Sequence, residues 1–194
     1  MDYIELTDDN FIAKGNERAL YKHPTDENKA IKIKYEDSQK EAKQTKIDIN
    51  YYKELSKRTS IDWTHIPKYY GEVKTNKGNG FVLELIKDYD GITSKSLAYY
   101  MNKFGLDNYT KELAVYKEYF LKNSIIFNHT MLPKNILLRK TSETEAHLVL
   151  IDGLGDRVFI QFPNKIPYFA RKKINKRWDY FAKVYLTGDK VMEP

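Results

Sequence analysis

The chain has 194 residues, of which 41% are hydrophobic and 31% are charged, and its formal net charge is +6. That balance is typical of a soluble globular protein and excludes wholesale disorder and collagen-like repeats. The chain contains no cysteine, which excludes disulfides, thiolate catalysis and zinc–thiolate sites. The acidic start of the sequence and its short apolar runs predict neither a secretory signal nor a membrane span, so a cytoplasmic location is expected.

The positive charge is concentrated near the C-terminal end of the sequence. Residues 164–184 contain seven lysines and arginines and one aspartate, a balance equal to the net charge of the whole chain. Such a segment is suited to phosphate, nucleic acid or an anionic membrane surface. A solvated helix face explains the same pattern and is the simpler interpretation.

The first third of the sequence is predicted to form strands and one helix. The predicted strands cover residues 3–6, 10–13, 19–21 and 30–35. In the last of these, isoleucine alternates with lysine, which is the period of a half-buried strand. The helix is predicted over residues 40–58, where Ile47, Tyr51 and Leu55 recur every four residues as one apolar stripe.

The rest of the chain is predicted as one hairpin followed by mainly helical structure. The hairpin joins residues 68–75 to residues 80–86 through the turn sequence Asn76-Lys77-Gly78-Asn79. Further helices are predicted over residues 94–104, 110–122 and 167–186, and further strands over 136–139 and 147–151. This order of elements predicts an α+β fold in two lobes.

The last predicted helix, residues 167–186, is expected to bury one face. The apolar residues that share this face are Ile174, Trp178, Phe181 and Tyr185. The cations that fall largely outside the stripe are Lys172, Lys173, Lys176 and Arg177. Because residues three and four apart share a helix face, these cations are expected to face water.

Several common catalytic motifs are missing from the sequence. Its four histidines lack metal-ligand spacing, and there is no complete nucleophile elbow, P-loop or dinucleotide-binding glycine motif. What remains is a series of short features in a definite order. They are the turn Ala13-Lys14-Gly15-Asn16-Glu17-Arg18, the tripeptide Ala30-Ile31-Lys32, the helix with acidic residues, Pro133-Lys134-Asn135 and Asp152-Gly153.

This order resembles the protein-kinase-like fold, in which a strand lysine, a helix carboxylate, an asparagine and an aspartate hold a nucleotide and its metal. The resemblance implies that Lys32 pairs with the phosphates of ATP. It implies that Asp48 orients this lysine, with Glu41 as the weaker alternative. It also implies that Asn135 and Asp152 hold Mg²⁺.

The same resemblance assigns a hinge and a phosphate loop. The hinge that meets adenine would be Leu83-Glu84-Leu85-Ile86, so Glu84 and Ile86 are expected at the nucleotide. In the loop, Gly15 is retained, whereas Ala13 and Arg18 stand where the other glycines would be.

The catalytic loop departs from the kinase pattern. Counting back from Asn135 places Asn128-His129-Thr130 over His-Arg-Asp, so Thr130 stands in place of the catalytic aspartate. A threonine hydroxyl is a poor general base near neutral pH. His129 and Asp156 are the alternative bases.

Further segments along nearly the whole chain carry a closer resemblance. They are Ala30-Ile31-Lys32-Ile33, Tyr51-Tyr52, Asp62-Trp63, Ile66-Pro67-Lys68-Tyr69-Tyr70-Gly71, Asp88-Tyr89-Asp90-Gly91, Pro133-x-Asn135-Ile136-Leu137 and Ser142-Glu143. In their order and spacing they resemble the YrbL family, the small PhoP regulatory network proteins. In that family too, the catalytic-loop aspartate is replaced by a small hydroxyl residue. The resemblance implies a regulatory association without naming a reaction.

The expected fold is therefore a single α+β, protein-kinase-like domain. Residues 1–86 would form an N-lobe with a small antiparallel sheet and one helix, and residues 87–194 a reduced, mainly helical C-lobe. The first predicted function is an atypical phosphotransferase that binds ATP and Mg²⁺ and acts on a protein hydroxyl or a small molecule. The alternatives are an inactive pseudokinase that acts as a regulatory binding module, and a binder of nucleic acid or another anionic partner through the basic C-terminal helix.

Overall fold

The computed structural model describes residues 3–15, 18–34, 41–128, 131–156 and 167–187. These residues form eight β-strands and four α-helices. Contacts within the chain divide it into two units. The first unit is Met1–Ser60 with Pro67–Leu85, and the second is Ile61–Ile66 with Ile86–Pro194.

One six-stranded sheet forms the centre of the first unit. Its strands are β1 (Tyr3–Ile4), β2 (Phe11–Lys14), β3 (Arg18–Lys22), β4 (Lys29–Lys34), β5 (Tyr69–Thr75) and β6 (Gly78–Glu84), in the spatial order β1-β5-β6-β4-β3-β2. The prediction of an antiparallel sheet is confirmed for β2 to β6, whereas β1 pairs with β5 in parallel. Contacts from the predicted turn accompany the parallel pairing of β1. The Asn76 side chain accepts from the Leu6 amide at 2.9 Å and donates to the Leu6 carbonyl at 2.9 Å, which fastens the segment after β1 beside β5.

The two faces of β4 differ, as its alternating sequence predicts. Ile31 and Ile33 are buried in a hydrophobic cluster with Leu6, Val73 and Val82. Lys32 and Lys34 point to the other face and are half-buried. The neighbouring strand approaches closely at Gly80, where a Cβ would lie 2.7 Å from the carbonyl oxygen of Lys32.

Helix α1 (Glu41–Ser56) covers one face of this sheet. Its predicted stripe is confirmed, because Ile47, Tyr51 and Leu55 are all buried. The ring of Tyr52 stacks on Tyr69 of β5 at 5.5 Å and lies 6.4 Å from Phe81 of β6. Phe81 is opposite Lys32 in the β4–β6 register, so α1 packs on the face to which Lys32 belongs.

The second unit is mainly helical, as the sequence predicts. It contains α2 (Leu97–Phe104), α3 (Thr110–Asn123), the hairpin of β7 (Ile136–Lys140) and β8 (Ala146–Leu150), and α4 (Pro167–Phe181). A π-helical turn, Ala182–Leu186, follows α4. Ser96 caps α2 by accepting from the Tyr99 amide at 3.2 Å, and Gly105 ends the helix with a φ of 83°.

Aromatic side chains hold the helices of this unit together. The rings of Tyr116 and Phe120 on α3 lie 4.8 Å apart, and Phe120 is 4.9 Å from Phe127. Trp178 on α4 lies 6.2 Å from Tyr116 and 5.6 Å from Phe181. Edge-to-face arrangements at these distances are favourable beyond the area that they bury. In the described ranges, no helix is both long enough and apolar enough to cross a membrane.

The predicted faces of α4 are partly confirmed. Ile174, Trp178 and Phe181 are buried, and Tyr185 is half-buried in the π-helical turn. The predicted exposure of Lys172 and Lys176 is confirmed. The expectation that Lys173 and Arg177 also face water is wrong. Both are half-buried because they form ion pairs with Asp156, which lies beside this edge of the helix.

Candidate functional site

Lys32, the predicted phosphate ligand, lies in the middle of a strand on the face that α1 covers. In the antiparallel registers it is opposite Leu20 of β3 and Phe81 of β6. Alternate residues of a strand share a face, so the side chain of Arg18 on β3 belongs to the same face as Lys32. This face of the sheet therefore carries two cations close to α1.

Asp48, the predicted partner of this lysine, is buried on α1. Its Oδ2 atom accepts from Nη1 of Arg18 at 2.5 Å, and the two side chains are 5% and 9% exposed. A buried carboxylate requires such a partner, because an uncompensated charge in the interior is very costly. Asp48 thus holds a cation on the Lys32 face, and its contact with Lys32 stays a prediction. Glu41 opens α1, and its side chain lies outside what the structure describes.

The Arg18–Asp48 ion pair was missed from sequence, where Arg18 counted only as a departure from the glycine loop. The two residues are thirty positions apart and lie on different elements, so no local spacing reveals the pair. Gly15 lies directly after β2, and its amide donates to the Arg18 carbonyl at 2.8 Å. Gly15 and Arg18 therefore close the turn between β2 and β3.

The predicted hinge residues use several of their backbone groups within the protein. The amide of Glu84 donates to the Lys68 carbonyl at 2.9 Å, and the amide of Leu85 donates to the Asn28 carbonyl at 2.8 Å. These two donors are therefore not available to an adenine ring. In the second unit, the side chain of Ile86 is buried, and its carbonyl accepts from the Ser94 amide at 3.1 Å.

The structure brings the two predicted metal ligands together at one end of the β7–β8 hairpin. Asn135 ends a short 3-10 turn directly before β7, and Asp152 follows two residues after β8. The Ile151 amide donates to the Asn135 carbonyl at 2.9 Å and extends the hairpin pairing to this point. Both residues are half-buried. One amide oxygen and one carboxylate therefore lie at the same end of one rigid hairpin.

The turn after Asp152 explains why a glycine follows this aspartate. Gly153 has a φ of 87°, and its amide donates to Oδ1 of Asp152 at 2.9 Å. Its carbonyl accepts from the Asn128 amide at 2.7 Å. A Cβ at this position would lie 3.3 Å from the Asn128 side chain, in a backbone conformation that favours glycine. The turn is thereby held against Asn128, directly before His129 and Thr130, which both lie outside the described residues.

Asp156, one of the two alternative bases, is buried and forms ion pairs with α4. Only 8% of the residue is exposed, and its Oδ2 atom accepts from Nη2 of Arg177 at 2.6 Å. Lys173 forms an ion pair with the same oxygen, and Arg177 also donates to the Phe127 carbonyl. Burial lowers the pKa of Lys173, and the hydrogen bond to Asp156 opposes that effect. A carboxylate between two cations is a weak proton acceptor, which argues against Asp156 as the base.

The comparisons with known proteins agree with the motif order. A family model described as PhoP regulatory network protein YrbL matches residues 4–186. The YrbL protein of Escherichia coli (strain K12) is 28% identical over 184 residues, covering 92% of this chain and 86% of that protein, and the YrbL protein of Shigella flexneri gives the same values.

A crystal structure of a kinase domain is similar in fold. It matches with a TM-score of 0.50 and 20% identity over 74% of this chain, which spans about half of that domain, 48% of its length. The protein-kinase-like fold and the family that the sequence predicted are both confirmed.

Proposed function

The chain belongs to the YrbL family of PhoP regulatory network proteins, and on that premise we propose that it is a kinase-like protein that binds ATP together with Mg²⁺. In this proposal Lys32 pairs with the phosphates, and Asn135 and Asp152 hold the metal. The observation that supports it is the hydrogen bond from the Ile151 amide to the Asn135 carbonyl, since Asn135 and Asp152, the two residues proposed to hold the metal, lie at this end of the hairpin.

The chemistry of these donors supports Mg²⁺. This ion prefers oxygen ligands in octahedral geometry, usually takes one or two from protein, and completes its shell with water and phosphate oxygens. Asn135 supplies an amide oxygen and Asp152 a carboxylate. When bound, the metal would neutralise phosphate charge, and the proposal assigns a second positive charge to the half-buried Lys32.

Phosphoryl transfer is the first candidate activity. Its transition state is stabilised mainly by positioning and by positive charge, and in this proposal Lys32 and a bound Mg²⁺ would supply that charge. The residue counted into the catalytic aspartate position is Thr130, so this activity is expected to be slow. The acceptor is a protein hydroxyl or a small molecule such as a sugar.

A pseudokinase is the second candidate, and the position of Asp156 favours it. Asp156 was the acidic alternative to the missing catalytic aspartate, and its carboxylate is buried and paired with Arg177 and Lys173. A protein that binds a nucleotide but has no general base for phosphoryl transfer acts through the conformation that the nucleotide stabilises. In that case the regulatory association of the family rests on binding to a partner.

Thermal unfolding with and without ATP and Mg²⁺ tests the proposal. Ligand binding to the folded state stabilises it by about 2.7 kcal/mol at a ligand concentration one hundred times Kd. We expect Asp152→Asn and Lys32→Met to abolish the shift. Asp152→Asn keeps an oxygen for the Gly153 amide, so the turn should remain. The matched controls are Asp179→Asn, exposed on α4, and Lys34→Met, half-buried on the same face of β4, and both should keep the shift.

The thermal shift tests nucleotide binding, and phosphate release then distinguishes the two candidate functions. A wild-type protein whose midpoint does not move with ATP and Mg²⁺ would overturn nucleotide binding. An unchanged shift in both site variants would overturn the proposed site of binding. Where binding is established, release of labelled phosphate from ATP separates the candidates. Turnover that stops in Asn135→Ala supports phosphoryl transfer, because a metal ligand is lost. Binding without turnover on protein or sugar acceptors supports the pseudokinase.

A further inference from the structure

Helix α4 carries an exposed stripe opposite the face that it buries. We call it the outer stripe, and its members are Phe169, Lys172, Lys176 and Tyr180, all exposed. They recur at spacings of three and four residues, so they share an arc of about 80° on a helix that turns about 100° per residue. The exposed Lys183 follows in the π-helical turn. The outer stripe therefore places two cations between two aromatic rings on one side of the helix.

The two rings of the outer stripe are not needed to dock α4 onto its unit. Docking uses Ala170, Ile174, Trp178 and Phe181, which are buried on the opposite side. Phe169 and Tyr180 are 51% and 57% exposed. Single exposed aromatic residues are ordinary in proteins. Two exposed rings that share one helix face with lysines are suited to an interface.

The lysines of the outer stripe differ from Lys173 and Arg177 in what they face. Lys173 and Arg177 turn toward Asp156, and this ion-pair cluster fixes the helix on its unit. Lys172 and Lys176 lie on the exposed side, one turn apart and between the two rings. Of its five cations, α4 thus uses two for its own packing and leaves three exposed, two of them in the outer stripe.

We propose that the outer stripe of α4 docks the protein on an anionic membrane surface. Aromatic rings partition into the boundary between headgroups and acyl chains, while lysines lay their alkyl stems along that boundary and hold their ammonium groups at the phosphates. The rings are eleven residues apart, about 16 Å along a straight helix, with both lysines between them. Because all four members lie on one side of the helix, they can meet a flat surface together.

Charge suits either anionic partner, whereas the spacing of the rings favours a membrane over a single-stranded nucleic acid. The described part of α4 and its π-helical turn carry six cations and one anion. Proteins that stack bases place aromatic rings close together along a charged groove, so that successive bases meet successive rings. The outer stripe is a convex helix face whose rings are separated by three turns. It suits a charged surface better than a chain of bases.

Vesicle flotation tests the proposal with the full chain. The probes are vesicles of phosphatidylcholine alone and vesicles of equal parts of phosphatidylcholine and phosphatidylglycerol. We expect binding to the anionic vesicles only, weakened by salt. Each lysine near such a surface is worth roughly a fivefold change in partitioning, so Lys172→Glu with Lys176→Glu should reduce binding more than tenfold. Phe169→Ser with Tyr180→Ser should also reduce it.

Matched variants separate the outer stripe from net charge and from folding. Lys22→Glu with Lys74→Glu makes the same charge change at exposed positions of the first unit. This variant should bind as well as the wild type does, apart from the loss that its lower net charge alone causes. Tyr89→Ser removes an aromatic ring that is 56% exposed elsewhere in the second unit and should leave vesicle binding unchanged. Circular dichroism verifies that all variants are folded.

Three results would overturn the proposal. The first is absence of binding to anionic vesicles, and the second is equal binding to neutral vesicles. The third is an equal loss in the Lys22/Lys74 control, since that would assign the effect to net charge alone. Binding of a single-stranded oligonucleotide, lost in the outer-stripe variants and without vesicle binding, would identify a nucleic-acid surface instead.

Discussion

Replacing Asp156 should reveal whether this carboxylate holds α4 in place. Its Oδ2 atom accepts from Arg177 at 2.6 Å and forms the ion pair with Lys173, and the Asp156 side chain is 6% exposed. Asp156→Ala would leave the Arg177 guanidinium, 10% exposed, without its anion. Removal of one partner from a buried ion pair is strongly destabilising, because the remaining charge is uncompensated.

The magnitude follows from the exposure of the two cations. The Lys173 side chain is 21% exposed and can turn its ammonium toward water, whereas Arg177 also donates to the Phe127 carbonyl and remains in place. Only one charge is therefore left buried, so we expect a loss of about 3 kcal/mol, the lower end of the range for broken buried pairs. Asp156→Asn keeps an oxygen for Arg177 and should cost less, about 1.5–2 kcal/mol.

Urea unfolding of the variants measures these losses. Tryptophan fluorescence is a suitable signal because Trp178 is buried on α4, and the slope of each transition checks that the same surface is exposed. Asp179→Ala, exposed on the same helix, is the matched control and should change stability by no more than about 0.5 kcal/mol. Equal stabilities of Asp156→Ala and Asp179→Ala would refute the anchoring role.

Three further predictions concern packing and pH. Trp178→Ala should lower the unfolding free energy by about 3–5 kcal/mol, because a buried ring between Tyr116 and Phe181 is removed. Urea unfolding followed by circular dichroism measures this loss, since the variant lacks the fluorescent reporter. Gly80→Ala should lower the thermal midpoint, since its Cβ would lie 2.7 Å from a backbone oxygen and overpacking costs about 1–3 kcal/mol; an unchanged midpoint would contradict the close approach of β4 and β6. Burial lowers the pKa of His65 below its usual 6.5, so the unfolded chain takes up a proton at this histidine before the folded protein does. The unfolding free energy should therefore fall as the pH drops below about 6.5. Urea titrations across this pH range should show a smaller fall in His65→Gln.

Local periodicity was sufficient to predict most of the elements. In α1, the stripe of Ile47, Tyr51 and Leu55 is fixed by helix geometry alone, and all three are buried. The pairing of β1 was not predictable in the same way. It is two residues long, and its parallel pairing with β5 is accompanied by contacts between Leu6 and Asn76, seventy positions apart, which leave no periodic pattern.

Helical periodicity also explains the incomplete prediction for α4. Spacing assigns each residue an angle around the helix, and that angle separates Trp178 from Lys176 correctly. It does not say what packs beside the edges of the buried face. Lys173 and Arg177 lie at such an edge, and their long side chains reach Asp156, which precedes the helix by more than ten residues.

The exposure of the candidate residues separates structural carboxylates from those suited to a ligand. Asp48 and Asp156 are 3% and 8% exposed, and each is paired with an arginine within its own unit. Burying an ion pair carries a desolvation cost that the mutual attraction only partly offsets, so these pairs act mainly to fix positions. A group that takes up a nucleotide or metal must instead remain accessible before the ligand arrives. Asp152 and Asn135 in the second unit are half-buried, and so is Lys32 in the first unit.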